Sequence, residues 1–474
     1  MQELTPEWRS PRVLALDLDH CLARYRVHAL QRLIYACLAR SLCEREGYAP
    51  AALAALPACH ASARAAPRDA AAGTTLVPGE AGEGLDATPV AQWAAGWCPG
   101  FAQKGLVFDV ARGDLLKLGS EGQVLAAWHG LQQLSAGEVA ARYGAEFWGF
   151  AHLQRREKHA GMSQLTTYFD APAAVSLAQC VAAHDAGAGS GAEGSGAGGG
   201  AGGGAGAAPG APLRYAHILQ QHFRTFDHIF DNAPGFATGR GGFFAALRMQ
   251  PEAYIAGREG AARALRALQA ARACRTVLVT NSHPTFARFM LRASLGEGWQ
   301  GLFDALIYSS DKPKWFASSA AVPPPALVPV AAGAASGGAG AGALPPAPAP
   351  PALPAGAAWG QGAEFTGGSA ADVVAAYGSA GLVFAGDHIV TDVVAARTCP
   401  VGAWCAVGVV EELECSAAEE AEVAAVGPWG GWRDSLGAHH LRTHASALVG
   451  DVTECLEALA AAAAAVGSPG AGGQ

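Results

Sequence analysis

A chain of 474 residues with 15% charged residues and a formal net charge of −8 has room for two or three domains and a sizeable core. Its five lysines, Lys104, Lys117, Lys158, Lys312 and Lys314, make no basic face, which argues against a nucleic-acid partner, and the acidic balance disfavours an anionic membrane. The eleven cysteines include no Cys-x-x-Cys pair, so reduced thiols in a cytoplasmic protein are expected rather than a zinc ribbon or a disulfide framework. No signal-peptide pattern precedes the first apolar run, and the alanine run at 456–466 is too short to span a bilayer.

Residues 12–18 (RVLALDL) predict a short strand buried on both faces. Leu30, Leu33, Ile34, Cys37, Leu38 and Leu42 then recur at helical spacing and predict one apolar stripe. Residues 49–95 are alanine-rich and carry no readable period. From 104 the runs GLVFDV and QVLAAW are strand-like, and the turn 119–122 predicts a hairpin between LLKL and QVL. Helical or amphipathic pattern is expected from there to about His184.

Residues 186–210 are almost pure Gly/Ala/Ser, and 317–362 are Pro/Ala/Gly-rich; both are expected to be disordered insertions. Between them lie a helix at 260–273, a strand at 276–280 (TVLVT), a helix from Pro284 and a strand at 301–308 (GLFDALIY). A further apolar strand, 381–387 (GLVFAGD), leads into helical pattern. Alternating buried strands and helices predict an α/β protein, a parallel sheet with helices on both faces. The expected division is a discontinuous core at 10–48 and 214–455, and a low-complexity tail at 456–474.

Four strand ends carry chemistry. Asp17 and Asp19 close the first strand, and two carboxylates so close are costly to bury without a cation or a shared proton. Thr280, Asn281 and Ser282 follow the second, where a hydroxyl and backbone N–H groups can cradle a phosphate. Lys312, after the third, can neutralise a phosphate and hold a carboxylate ionised. Gly386-Asp387 and Asp392 close the fourth; such hard oxygen ligands suit Mg²⁺, although Asp392 also fits a purely structural place at a helix start. In a doubly wound sheet these ends converge on one crevice.

The order Asp-x-Asp, Thr, Lys, Gly-Asp-x₄-Asp resembles the haloacid dehalogenase-like superfamily. Residues 17–25 (DLDHCLARY) resemble the Asp-Met-Asp-Tyr-Thr-Leu-Ala-x-Tyr start of the cytosolic purine 5′-nucleotidase family. Residues 104–130 are similar to its Gly-Leu-Val-Phe-Asp…Gly-Asn-Leu-Leu-Lys…His-Gly block, and the Thr280, Lys312 and Asp387 segments follow in register. The resemblance implies a haloacid dehalogenase-like core with an inserted cap at 99–184, and Mg²⁺ held by Asp17, the Asp19 carbonyl and Asp387, with Asp392 in support. It further implies Asp17 as nucleophile, Asp19 as general acid/base, Thr280 and Lys312 on the transferring phosphoryl group, and Asn281 and Ser282 as substrate contacts. A nucleoside monophosphate, most readily a purine one, is the implied substrate, and a homo-oligomer is compatible with the sequence.

Cys21 stands where the family has threonine, His20 where it has tyrosine, and Ala182 where its cap segment ends in aspartate. Two alternatives therefore stay open: a phosphatase for another small phosphoester, and a catalytically weak relative acting as a binding or scaffold protein. His129 and His184 are expected to be satisfied histidines, Trp128 and Trp315 packing residues, and Glu411 and Glu412 solvated.

Overall fold

The computed structural model describes residues 11–57, 90–144, 148–149, 161–187, 214–231, 236–317, 325–330, 359–414 and 428–467. The chain divides into two compact units. One comprises Met1–Arg24, Ile255–Glu414 and Leu441–Gln474, and the other Tyr25–Tyr254 and Cys415–His440.

The first unit is built on an eight-stranded sheet. In spatial order its strands are Val328–Pro329, Ala363–Thr366, Ala305–Tyr308, Arg275–Val279, Val13–Leu16, Leu382–Gly386, Trp404–Val409 and Ala447–Val449. Every neighbouring pair is parallel except the edge strand Val328–Pro329, which is antiparallel to Ala363–Thr366. The predicted α/β class with a mostly parallel sheet is therefore observed. Val13–Leu16 lies at the centre with all four side chains buried, which is why its sequence is a continuous apolar run. From it the chain builds outward on one side, then returns to build on the other, so the switch point lies at the end of that central strand.

Several local expectations need amendment. Only Ala305–Tyr308 of the 301–308 run is strand; Trp299–Leu302 is a 3₁₀ turn, and Asp304 accepts from the Thr276 N–H at 2.9 Å. Ala363–Thr366 was hidden because only Phe365 of its four residues is buried, leaving no apolar run to read. Within the tract expected to lack structure, Val328–Pro329 forms the sheet edge, a place where proline removes no needed donor. The alanine-rich end is no free tail as far as it is described. Val452–Gly467 is a helix whose Val452, Cys455, Leu456 and Leu459 are buried at helical spacing, and it packs on Glu259–Ala271.

The second unit contains a five-stranded antiparallel sheet in the order Gln132–Gln133, Val124–His129, Asp114–Leu118, Leu106–Asp109, Met162–Leu165. The predicted hairpin is present, with the Gly119 N–H donating to Gln123 at 2.8 Å. Met162–Leu165 falls where helical pattern was expected; its alternating half-buried residues follow the period of a sheet edge. The helix Val27–Glu46 and residues 214–254 belong to this unit, although the pattern had placed them with the first. Val27–Glu46 packs against Ala173–Asp185 and Ala216–Ile229, so Gln31, Tyr35, Ala36, Ala39 and Ser41 are buried in addition to the predicted stripe. The Gly/Ala/Ser run at 188–210 lies outside the described residues, as does 58–89. No described helix is long and apolar enough to cross a membrane.

Candidate active site

Parallel pairing brings the ends of four strands of the first unit to one edge of the sheet. Asp17 follows Val13–Leu16 and donates its N–H to Ala385 at 2.9 Å. Thr280 follows Arg275–Val279, and its N–H donates to Ile307 at 2.9 Å. Lys312 lies in the loop after Ala305–Tyr308, and Asp387 directly follows Leu382–Gly386.

At the centre is the Lys312 ammonium, 2.8 Å from Asp17 Oδ1 and 2.8 Å from Asp392 Oδ1. Its side chain is buried, as are both carboxylates. Asp17, Asp387 and Asp392 each offer an oxygen within 4.8 Å of the others. Burial pushes Asp17 up to about 7; Asp392 and Asp19 add to the rise, while Lys312 opposes it. Burial alone would lower Lys312, but the Asp17 and Asp392 charges outweigh it and hold the ammonium protonated well above its ordinary range. Two acids and one ammonium leave a net negative charge in a buried site, an arrangement that calls for a further cation or a proton.

Asp392 is wholly buried. Besides Lys312, it accepts the His388 N–H on Oδ2 at 3.0 Å, and it lies in the helical turn Ile389–Val394. His388 caps that turn through Nδ1, which accepts the N–H groups of Val390 and Thr391 at 3.1 and 3.2 Å. The glycine before Asp387 now has a reason. A Cβ on Gly386 would lie 2.5 Å from Asp392 Oδ2, so only glycine lets that carboxylate reach Lys312.

The second motif is tied to the other loops. The Ser282 hydroxyl donates to Asp19 Oδ2 at 2.8 Å, and the Ser282 N–H donates to Thr280 Oγ1 at 3.0 Å. With an oxygen lone pair of Thr280 so engaged, its own O–H is left to point elsewhere. Asn281 turns its amide to the Lys312 loop, accepting from Lys312 N–H at 2.7 Å and from the Ser310 hydroxyl at 2.9 Å. The side chain of Asp19 is not among the three clustered carboxylates.

Cys21 is buried with Sγ 3.4 Å from the Ala385 carbonyl, so it bridges the Asp17 loop to the strand before Asp387. Burial first, then the carboxylates of Asp17, Asp387 and Asp392, push its thiol well above the ordinary range. Glu411 overturns an expectation. It is not solvated: its carboxylate lies 3.0 Å from Nδ1 of His20, whose side chain is buried in turn. Glu411 follows the parallel strand Trp404–Val409, so the strand-end logic that found the other acids also points to it. His20 itself has φ +53°, a left-handed conformation unusual for a side-chain residue.

A profile of the 5′ nucleotidase family matches residues 89–425, well over half of the chain. The chain belongs to that family. Thr280, Lys312, Asp387 and Asp392 lie within the matched segment, and Asp17 and Asp19 precede it. Among curated relatives, the chain is 25% identical to 5′-nucleotidase domain-containing protein 1 of Bos taurus over 309 residues, 64% of this chain and 54% of that protein. It is 25% identical to the protein of the same name from Homo sapiens over 318 residues, with the same shares. The chain thus spans about half the length of these 5′-nucleotidase family relatives.

Proposed function

We propose that this member of the 5′-nucleotidase family is a Mg²⁺-dependent phosphomonoester hydrolase of haloacid dehalogenase-like type, acting on nucleoside 5′-monophosphates, purine ones foremost. One observation carries the proposal: a buried ammonium set 2.8 Å from both Asp17 and Asp392, with the Asp387 carboxylate beside them. Such a site has hard oxygen donors and a surplus of negative charge, and so fits a small divalent cation. Asp17 and Asp387 would hold it, with the Asp19 carbonyl, while Asp392 supports them through Lys312. When bound, the cation supplies neutralisation of the phosphoryl oxygens.

The chain's own groups divide the remaining work. An Asp17 carboxylate oxygen attacks phosphorus, the ester P–O bond breaks, and the Asp19 carboxyl gives its proton to the departing alkoxide. Asp19 then takes a proton from a water molecule, whose oxygen attacks the aspartyl-phosphate and releases inorganic phosphate. Lys312 and the Thr280 hydroxyl stabilise charge on the transferring group, and Ser282 orients the Asp19 carboxylate. Residues 99–184 would serve as a cap that recognises the rest of the substrate.

Phosphate release from a panel of nucleoside monophosphates and simple phosphomonoesters, with and without Mg²⁺, tests the proposal. Turnover that needs the metal and vanishes in Asp17→Asn is expected. No turnover of any panel member with Mg²⁺ present would reject it and favour a binding role.

A further inference from the structure

The geometry assigns Asn281 a role other than substrate contact: it is the positioning residue that fixes the Lys312 main chain, and through it the ammonium between Asp17 and Asp392. Its carboxamide oxygen accepts from the Lys312 N–H at 2.7 Å, and its NH₂ donates to the Lys312 carbonyl at 3.1 Å. Both polar groups of one main-chain residue are thereby held by one side chain, the pairing that a neighbouring strand would otherwise provide. The same oxygen accepts the Ser310 hydroxyl at 2.9 Å.

The loop needs such a clamp. Ser309 and Asp311, on either side of Ser310, have φ +48° and +57°, a left-handed backbone that non-glycine residues adopt only when surrounding bonds dictate it. Backbone bonds from Ser309 N–H to Ser282 and from Ser310 N–H to Thr280, both 3.1 Å, tie the start of the loop to the same motif. Lys312 itself is reached by Asn281. With its oxygen and one N–H so engaged, the carboxamide has little left to offer a phosphate.

The test has two arms, and the first needs no catalysis. An amine-reactive ester is applied to the full-length protein without substrate, and Lys312 labelling is measured by mass spectrometry against Lys314, whose side chain is 73% exposed. In wild type Lys312, with its side chain 2% exposed, should label far more slowly than Lys314. Asn281→Ala should raise the Lys312/Lys314 ratio about tenfold, because local opening of the loop loses its anchoring bonds. Asn281→Asp, which keeps the accepting oxygen, should raise it less than about threefold. Should Asn281→Ala not fold, Asn281→Ser carries the same expectation, its hydroxyl being too short to span both Lys312 groups. An unchanged ratio in a folded Ala or Ser variant overturns the assignment.

The second arm rests on the proposed hydrolase function and uses p-nitrophenyl phosphate with Mg²⁺. Asn281→Ala should lower kcat while KM stays within about threefold, with partial recovery in Asn281→Asp. A raised KM with kcat and labelling unchanged would make Asn281 a substrate ligand and overturn the assignment. Wild type that turns over no phosphomonoester would count against the proposed function and leave the labelling result standing.

Discussion

Lys312 faces two carboxylates and answers both with one charge, so each partner's removal has a different consequence. Lys312→Met leaves Asp17 and Asp392 buried without a counter-ion, a loss of about 3–5 kcal/mol unless one of them takes up a proton. Urea titration at pH 7 should show that loss, together with absent turnover. Asp17→Asn removes the proposed nucleophile but keeps Lys312 paired to Asp392. Phosphate release should fall at least about a thousandfold while the fold persists by circular dichroism. Gly386→Ala acts more subtly. The new methyl would meet Asp392 Oδ2 at 2.5 Å and push that carboxylate off Lys312, lowering stability by about 1–3 kcal/mol. At this scale the acids and the lysine were legible because each closes a strand or its loop. The partners of Asn281, Ser282 and Glu411 were not, since a side chain that reaches across to another loop leaves no local pattern.

Two histidines of the second unit show how elements are joined, and they titrate in opposite senses. His222, on the helix Ala216–Ile229, is buried with Nδ1 donating to Ile218 at 2.8 Å and Nε2 accepting from the Ser176 hydroxyl at 2.9 Å. Burial holds it neutral and pushes its pKa down to about 4 from 6.5. Below pH 6.5 the unfolded chain therefore takes up a proton that the folded chain refuses. About 3 kcal/mol of stability should drain away between pH 6.5 and pH 4. Thermal melting of wild type against His222→Gln checks this, the variant showing a flatter acid limb.

His129 bridges Asp114 at 2.7 Å and Asp185 at 2.8 Å, joining the strand Val124–His129 to the end of the helix Ala173–Asp185. Only an imidazolium can donate to both, and the Asp114 hydrogen bond foremost raises its pKa. Its contribution is complete below pH 6.5 and lost as pH climbs through the raised value, so the stability lost in His129→Gln should be greatest at pH 6 and shrink as pH rises. Both bridges fit the expectation of satisfied histidines for His129. The buried Trp128 and Trp315 likewise pack as anticipated.

For the molecule as a whole, the question is whether a cation completes the buried charge cluster. If Mg²⁺ binds the folded chain alone, saturating it at about a hundredfold over its dissociation constant adds about 2.7 kcal/mol. The melting temperature should rise with Mg²⁺ in wild type, and the rise should disappear in Asp387→Ala. A chelator should stop phosphate release and added Mg²⁺ restore it; an undiminished rate in excess chelator would remove the metal from the mechanism.

Apolar runs, turn chemistry and motif order were enough to settle an α/β protein with a mostly parallel sheet, because buried central strands must be continuously hydrophobic whatever surrounds them. Val13–Leu16, Arg275–Val279 and Leu382–Gly386 announce themselves in that way, and so does the hairpin at 119–122. The edge strand Val328–Pro329 and its neighbour Ala363–Thr366 do not, since a half-exposed strand carries no such signature. The helix Val27–Glu46 went to its unit by what it packs against, a matter of distant partners and not of its own period. Folding alone decides that Lys312 meets both Asp17 and Asp392, because only strand order in space sets loops far apart in the chain side by side.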